Sequence, residues 1–524
     1  MTALQEKMLE LVLEIDSICR EHDIVYYLAG GSVLGAVRHR GYSPWDDDLD
    51  IMMTRQSFAR FQEVCKTCLP PNREIITQIN TPCHTKVTIK YMDKTTSQFF
   101  RSQVLDTTGC GISLDIFILD PLPRDPAAKE RHIAEYVVYN ELLTPFFMVN
   151  DNLYKYVDLY NEYRDRMATQ GREAVMDELY RHLFVDEPAE SDLYLYRWGQ
   201  QHLIYDKTLF GNPRYLEFEG HSLPVPERTV DFLRATYGDT WLYLPEMRQR
   251  ETHVSDFSTT VAYRNWLSDI RPAINSEKAL ERFVERKKLN VAKARPAHDM
   301  LVNGLKQNAL LVEMELEDPD FAPDVLTSLE DEALLTRVRN YLTLQLKSPC
   351  VKNKILVGIS PQALEPILMA LIRRGDFHKA DKILKLWEEN HPDFLPRVRN
   401  IIDRVRKLVR LFEDRWTDGV VTPPSAAEAV EVVALFEELP GSVNAARCRL
   451  LLALENGEGE TLAEEILRIH PDDREVAYYA GVLFQKAGKR ERAWELYEKA
   501  VGTDNGRVRM ALIDMNVKGA ENLD

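Results

Sequence analysis

Three short stretches of this sequence carry residue types that could do chemistry together. The first is Gly30-Gly31-Ser32, which follows the apolar run Ile24–Ala29 and opens a helical pattern through Val33–His39. Glycines let a backbone approach an anion, and the free N–H groups of a helix start attract one. Ser32 adds a hydroxyl donor, so Gly30, Gly31 and Ser32 could hold a phosphate; the plainer reading is a strand-to-helix turn. The second stretch is Asp48-Leu49-Asp50, at the head of the apolar run Leu49–Met53. Alternate residues of a strand share a face, so the two carboxylates sit side by side. There they would repel each other unless an oxygen-preferring divalent cation lay between them. The third is Asp115, inside Ile112-Ser-Leu-Asp-Ile-Phe-Ile, where a carboxylate in an apolar strand needs a reason to be buried.

Neighbouring residues have competing roles. Asp46 and Asp47 could bind a metal, bond to its ligands or shape the loop. Trp45 could stack on a base or belong to the core, and Asp120, before Pro121, reads as a turn residue. Cys65-Lys-Thr-Cys68, with Cys83, His84 and Cys110, is the one zinc candidate, but no second C-x-x-C exists and free thiols are the expectation. Six tyrosines, Tyr136, Tyr139, Tyr154, Tyr156, Tyr160 and Tyr163, could wall a pocket for a cationic group through cation–π contact; core packing is the alternative.

The elements that must position these residues follow from periodicity. An amphipathic helix is expected at the N-terminus, where Leu4, Met8, Leu11, Ile15 and Ile18 recur at helical spacing, rather than a signal peptide. Strands are expected over Ile24–Ala29, Leu49–Met53, Thr85–Met92 and Ile112–Leu119, with a helix from Gln56 to about Cys68. Residues 127–205 read as mostly helical, 215–226 as strand-like, and a short helix then runs to about Ala235. The fold class is therefore α/β (α+β) with a helical insertion over residues 1–270, a helical connector over 271–350 and an all-α domain over 351–524. In that last part Gly375, Ala380, Trp387 and Pro392 space much as Gly488, Ala493 and Ala500 do, with a degenerate copy near Ala463–Pro471. This resembles tetratricopeptide (TPR-like) helical hairpins, which offer either a partner-binding surface or only added stability.

Composition narrows the classes. The 524 residues carry 66 Lys and Arg against 83 Asp and Glu, a net charge of −17, which argues against a general nucleic-acid binder. No run of apolar residues is long enough to span a membrane. Seven Cys, an odd number thinly spread, suit a reducing cytoplasm.

The glycine-serine helix start, the Asp48-x-Asp50 pair and the lone Asp115 match the nucleotidyltransferase-fold pattern. The sharper resemblance is to the LicD family of phosphocholine transferases, related to fukutin-type proteins. It rests on GSVLGAVRHRGYSPWDDDLDI at residues 31–51. In order there follow Lys86 and Lys90-Tyr-Met-Asp-Lys-Thr95, Leu114-Asp115-Ile-Phe-Ile-Leu-Asp-Pro, Leu223-Pro-Val-Pro226, Tyr237-Gly-Asp-Thr-Trp241 and Arg250-x-x-His253. The resemblance covers about residues 10–255 and leaves out the helical tail.

What the resemblance implies is transfer of phosphocholine, or a similar phosphoalcohol, from a CDP-linked donor to a hydroxyl of a cell-surface glycan or teichoic acid precursor, with CMP leaving. CDP-choline is the expected donor. Asp48, Asp50 and Asp115 would be the catalytic residues and would hold Mg²⁺ (or Mn²⁺), with Asp115 either completing the metal site or taking the acceptor proton. Gly30, Gly31, Ser32, Arg38, Lys86, Lys90 and His253 would contact substrate. The site of action would be the cytoplasm, including the inner face of the membrane, and the helical repeats would bind a protein partner or a second copy. Two alternatives stand beside this: a nucleotidyltransferase making an NDP-activated product, and a non-catalytic scaffold built on the repeats.

Overall fold

The computed structural model describes residues 1–43, 45–77, 89–100, 109–143, 152–184, 190–198, 201–239, 241, 253–263 and 277–316. In the C-terminal part it describes 364–365, 368, 377–388, 396, 398–403, 406, 416–417, 420–421, 446, 449–450, 453 and 459–501. The chain divides into two compact units. The first comprises Met1–Gly35, Asp46–Thr236 and Thr252–His298; the second comprises Ala36–Trp45, Tyr237–Glu251 and Asp299–Asp524.

The first unit is mixed α/β. It opens with α1 (Ala3–Glu21), whose Thr2 and Gln5 form a reciprocal capping box at the N-terminus. Of the expected apolar stripe, Leu4, Met8, Leu11 and Ile15 are buried, and Val12 with them, while Ile18 is only partly covered. At roughly 1.5–3 kcal/mol per large apolar side chain, that face is reason enough for the helix to lie on the sheet. The chain continues through β1 (Tyr27–Leu28), α2 (Gly30–His39), β2 (Asp50–Thr54), α3 (Arg55–Cys68), β3 (Arg73–Ile76), β4 (Ile89–Asp93), β5 (Ser97–Phe100) and β6 (Ile112–Leu122). The order across the sheet is β1-β2-β6-β4-β3. Among the described residues of this sheet only the β2–β6 pair is parallel. α1 packs on β4 and β6, and α3 packs on β2 and β6.

Three helices follow, α4 (Pro126–Leu143), α5 (Leu153–Gln170) and α6 (Arg172–Phe184). They share an apolar core that includes Tyr136, Tyr139, Tyr160 and Tyr163, with Tyr156 packed against it. The structure thus gives these tyrosines to packing. Tyr154 stacks on His298, ring centroids 3.8 Å apart.

The expectation of helix as far as residue 205 is corrected. Leu193–Trp198 is β7 and Gln201–Asp206 is β8, a hairpin that pairs with the far end of β6 and brings the sheet to seven strands. Asp120 is likewise no turn residue. It lies within β6, almost fully buried, and Arg55 grips it at 2.7 and 2.9 Å. β6 continues through Pro121 because only β7 pairs with it there; the β2 ladder has ended at Leu119. A proline is tolerated where one strand edge asks for no N–H. β9 (Arg214–Phe218) and β10 (His221–Val225) then form a hairpin, α7 spans Thr229–Tyr237, and β11 (Val254–Ser258) pairs with β5.

In the second unit, the helices Glu460–Ile469, Arg474–Lys486 and Arg490–Val501 pack in succession. Gly488 turns the chain at φ +76°, and a Cβ on Gly481 would strike the Tyr497 ring at 2.8 Å. The small residue is what lets two helices close on each other. The expected hairpin character is therefore visible at 474–501; much of the earlier repeat, including Gly375 and Pro392, lies outside the described residues.

Candidate active site

The site is built on the parallel pair at the middle of the sheet. Asp50 begins β2 and stands in register with Asp115 of β6, and Asp115 is in turn in register with Lys90 of β4. Registered residues on adjacent strands face the same side, so the two carboxylates and the ammonium form a row across three strands. The start of α2 is fastened to the same point. Ser32 Oγ accepts the Asp50 N–H at 2.9 Å, and the Ala29 N–H donates to the Asp50 carbonyl at 2.9 Å. Asp115 N–H donates to the Leu49 carbonyl at 3.3 Å. Gly30 takes φ +46°, which favours glycine, as the strand turns into the helix. A Cβ on Gly31 would lie 3.0 Å from Asp46 Oδ2, so the space that glycine leaves is occupied by an acidic side chain.

The loop carrying the acids is pinned from two sides. Gln5 Nε2 donates to the Asp46 carbonyl at 2.8 Å. Asp47 takes the His253 N–H at 2.8 and 3.0 Å and the Val254 N–H at 2.7 Å, and the His253 imidazole Nδ1 stands 3.1 Å away. Burial alone would raise the Asp47 carboxyl; the bonds from His253 and Val254 outweigh it and hold Asp47 below the usual carboxylate range. Asp48 is shifted the other way. Burial, with the Asp115 and Asp47 carboxylates beside it, holds it above that range, against the pull of His253, whose Nδ1 is 3.7 Å from Asp48 Oδ2. Crowded carboxylates of this kind suit a bound cation.

Of the other expected residues, Lys90 is fully buried, with Nζ 3.7 Å from Asp115 Oδ1 and 3.0 Å from Ser113 Oγ. Arg38 is buried in the second unit, 3.2 Å from Ser43 Oγ and with its guanidinium 5.6 Å from the Trp45 ring centroid. His253 is half exposed beside Asp47. Lys86 lies outside the described residues, as do Cys83 and His84. Among the described residues no three His, Cys, Asp or Glu side chains gather to hold a metal ion. Cys65 and Cys68 are free thiols on α3, with Cys65 pushed up to about 12 by burial and by Cys68. For the acids, the donor chemistry still fits magnesium, which commonly takes one or two carboxylates and completes its shell with substrate phosphate and water. Sequence reasoning missed Gln5 and the main chain of 253–254. Only the Thr2-x-x-Gln5 capping pattern signalled the former, and nothing local could signal a bond spanning two hundred residues.

A helix start, an acid pair and a third acid in register on a parallel neighbour form the arrangement expected of a nucleotidyltransferase domain. Residues 23–140 match the family model described as LicD/FKTN/FKRP, nucleotidyltransferase domain. The match is confined to that domain, and the rest of the chain lies outside the family model. The chain is 23% identical over 260 residues to the lipopolysaccharide cholinephosphotransferase LicD of Haemophilus influenzae, covering 46% of this chain and 91% of that protein. Shorter matches of 55 residues link it to uncharacterised proteins of Rickettsia typhi, at 36% identity, and Rickettsia prowazekii, at 34%. Those two cover 10% of this chain and 18% and 21% of the respective relatives. No solved structure matches the chain. Among the described residues no helix is long and apolar enough to cross a membrane.

Proposed function

We infer that the protein is a transferase that moves phosphocholine, or a similar phosphoalcohol, from a CDP-linked donor to a hydroxyl of a cell-surface glycan precursor. The observation that carries this reading is the registered pair Asp50 and Asp115, with Asp48 beside them, inside a domain of the LicD family. The cholinephosphotransferase relative, aligned over nearly its whole length, supports the choice of phosphocholine and of a lipopolysaccharide-type acceptor.

In this reading the acceptor oxygen attacks the phosphorus that bears the alcohol. The bond from that phosphorus to the bridging oxygen breaks, and CMP departs with the bridging oxygen. Mg²⁺, when bound, supplies charge neutralisation on the diphosphate and the leaving group. Asp48 and Asp50 are the carboxylates that would hold it. Asp115, kept in place by Lys90, would take the proton from the acceptor hydroxyl. The start of α2 would face a donor phosphate with its N–H groups. The hairpins of the second unit, read as TPR-like repeats, would bind the acceptor, a partner protein or a second copy.

The test is CMP release from CDP-choline, CDP-ethanolamine, CDP-glycerol and CDP-ribitol, with Mg²⁺ and with EDTA. Metal-dependent CMP from one donor, lost in Asp48→Asn and Asp50→Asn, is the expected result and names the group moved. Pyrophosphate formed from an NTP in place of CMP would move the assignment to a nucleotidyltransferase. No turnover and no nucleotide binding by calorimetry would overturn the enzyme reading altogether.

A further inference from the structure

We propose that Asp47 is a positioning residue for the acidic loop, neither a metal ligand nor a base, and that it works by clasping the main chain of residues 253–254; this rests on the function inferred above. Asp47, Asp48 and Asp50 stand close in sequence, and the residue types alone offer each as a ligand. The geometry separates them. Both oxygens of Asp47 are engaged, Oδ1 at 3.0 Å from the His253 nitrogen and 3.1 Å from its imidazole, Oδ2 at 2.8 and 2.7 Å from the nitrogens of His253 and Val254. A carboxylate with its lone pairs so used has little left for a cation. Asp48, next in the chain, sits instead beside Asp115.

The clasp has a fixed base. Val254 opens β11, which is paired with β5 from Val254 opposite Phe100 to Ser258 opposite Ser97. Beyond it, the Tyr263 N–H donates to the Thr96 carbonyl at 2.9 Å. The opposite side of the loop is held by Gln5, nearly fully buried, whose amide also accepts the Thr2 N–H at 2.9 Å. Gln5 and residues 253–254 both lie outside residues 23–140, so the family domain borrows the fixings of its acidic loop from its flanks. Second-layer bonds of this kind typically change metal affinity or activity by ~10–100-fold when lost. Because two of the donors are main-chain N–H groups, the clasp survives loss of the imidazole but not of the carboxylate.

The experiment is Mn²⁺ binding to the full chain, followed by electron paramagnetic resonance with Mn²⁺ alone, for the wild type and for Asp47→Ala, Asp47→Asn, His253→Ala and Asp48→Asn. Melting temperature is recorded for each, with CMP-release kinetics in parallel. Asp48→Asn should abolish binding. Asp47→Ala should weaken it by ~10-fold or more. Asp47→Asn, which keeps one accepting oxygen, should recover part of that loss, and His253→Ala should lose less than Asp47→Ala. Asp47→Asn as severe as Asp48→Asn would make Asp47 a ligand and overturn the proposal. Asp47→Ala that lowers only the melting temperature, with Mn²⁺ affinity and kcat untouched, would reduce the clasp to a fold contact and overturn it too. Should Asp47→Ala fail to fold, the ranking of Asp47→Asn against His253→Ala and Asp48→Asn still decides. Mn²⁺ binding indifferent to Asp48→Asn would instead overturn the metal reading on which the proposal rests.

Discussion

A lysine with no solvent-exposed side-chain surface is rare unless an anion accounts for it. Lys90 has such an anion in Asp115, its registered neighbour, and a second acceptor in Ser113. Its burial argues that it serves the protein's own carboxylate before any diphosphate. Lys90→Met should therefore lower kcat and destabilise the fold by about 1.5–3 kcal/mol, the range for a hydrogen bond to a charged group. The lower end is expected, because the Asp115 side chain retains 23% exposure and water can partly replace the ammonium. The donor KM should hardly move. Steady-state kinetics at saturating metal check this, and a raised KM with unchanged kcat would return Lys90 to the donor phosphates. At this scale much was legible. Asp50 and Asp115 could be placed on strands from their apolar neighbours, and the structure sets them side by side. Their spacing could not show that Lys90 completes the row, that Ser32 accepts from Asp50, or that Asp47 is engaged by the main chain of residues 253–254. Each of those depends on register between segments distant in sequence, which local periodicity does not encode.

At the scale of elements, helix α1 shows the limits in the other direction. Its apolar stripe was readable, but its polar flank is equally committed. Arg73 of β3, nearly fully buried, bonds Glu14 at 2.7 Å, Glu10 at 2.6 Å and Asp93 of β4 at 2.6 Å, while Lys7 reaches Asp93 at 2.9 Å. One ionic cluster thus ties α1 to two strands. Burial would raise the Asp93 carboxyl, but the bonds from Thr95 and Lys7 and the charge of Arg73 outweigh it and hold it below the usual range. A carboxylate lowered on folding adds stability above its unfolded pKa of about 3.9, and that stability is lost as pH falls through the folded value. Asp93→Asn should cost roughly 3–5 kcal/mol at neutral pH, as breaking a buried pair does. It should also flatten the acid limb of the stability curve. Urea melts from pH 7 down to pH 3 check both; an unchanged acid limb would mean that other carboxylates set it. The missed strands β7 and β8 have a comparable cause. Leu193-Tyr-Leu-Tyr-Arg-Trp198 follows three helices whose tyrosines pack in a core, so aromatic content alone did not mark the change of period.

Over the whole molecule, the two compact units interleave along the sequence. The second unit includes Ala36–Trp45 and Tyr237–Glu251 together with everything from Asp299 onward. Ala36, Val37, Arg38 and Tyr42 are buried, and Trp45, half-buried, lies edge-on to His39 with ring centroids 6.0 Å apart. Asp239, in the turn after α7, is bound by Lys385 at 2.9 Å and faces Arg406 at 3.8 Å, while Arg406 also grips the buried Asp381 at 2.6 Å. Segments from the resembling half of the sequence are therefore structural members of the helical unit. An independent tail could be removed at little cost. Here a chain ending at His298 would strip Asp239 of both cations and deprive 36–45 and 237–251 of the rest of their unit. It should melt several degrees lower and with a broader transition than the full chain. It should also expose apolar surface, read as increased binding of a hydrophobic dye. Sharp, unshifted melting of the shortened chain would show instead that the first unit folds unaided and that the helices are an appendage. A milder variant, Lys385→Ala, separates the ion pair from the bulk of the tail. It leaves Arg406 near Asp239 and should therefore fall within ~1 kcal/mol of the wild type, because Lys385 is itself 40% exposed and water screens its charge.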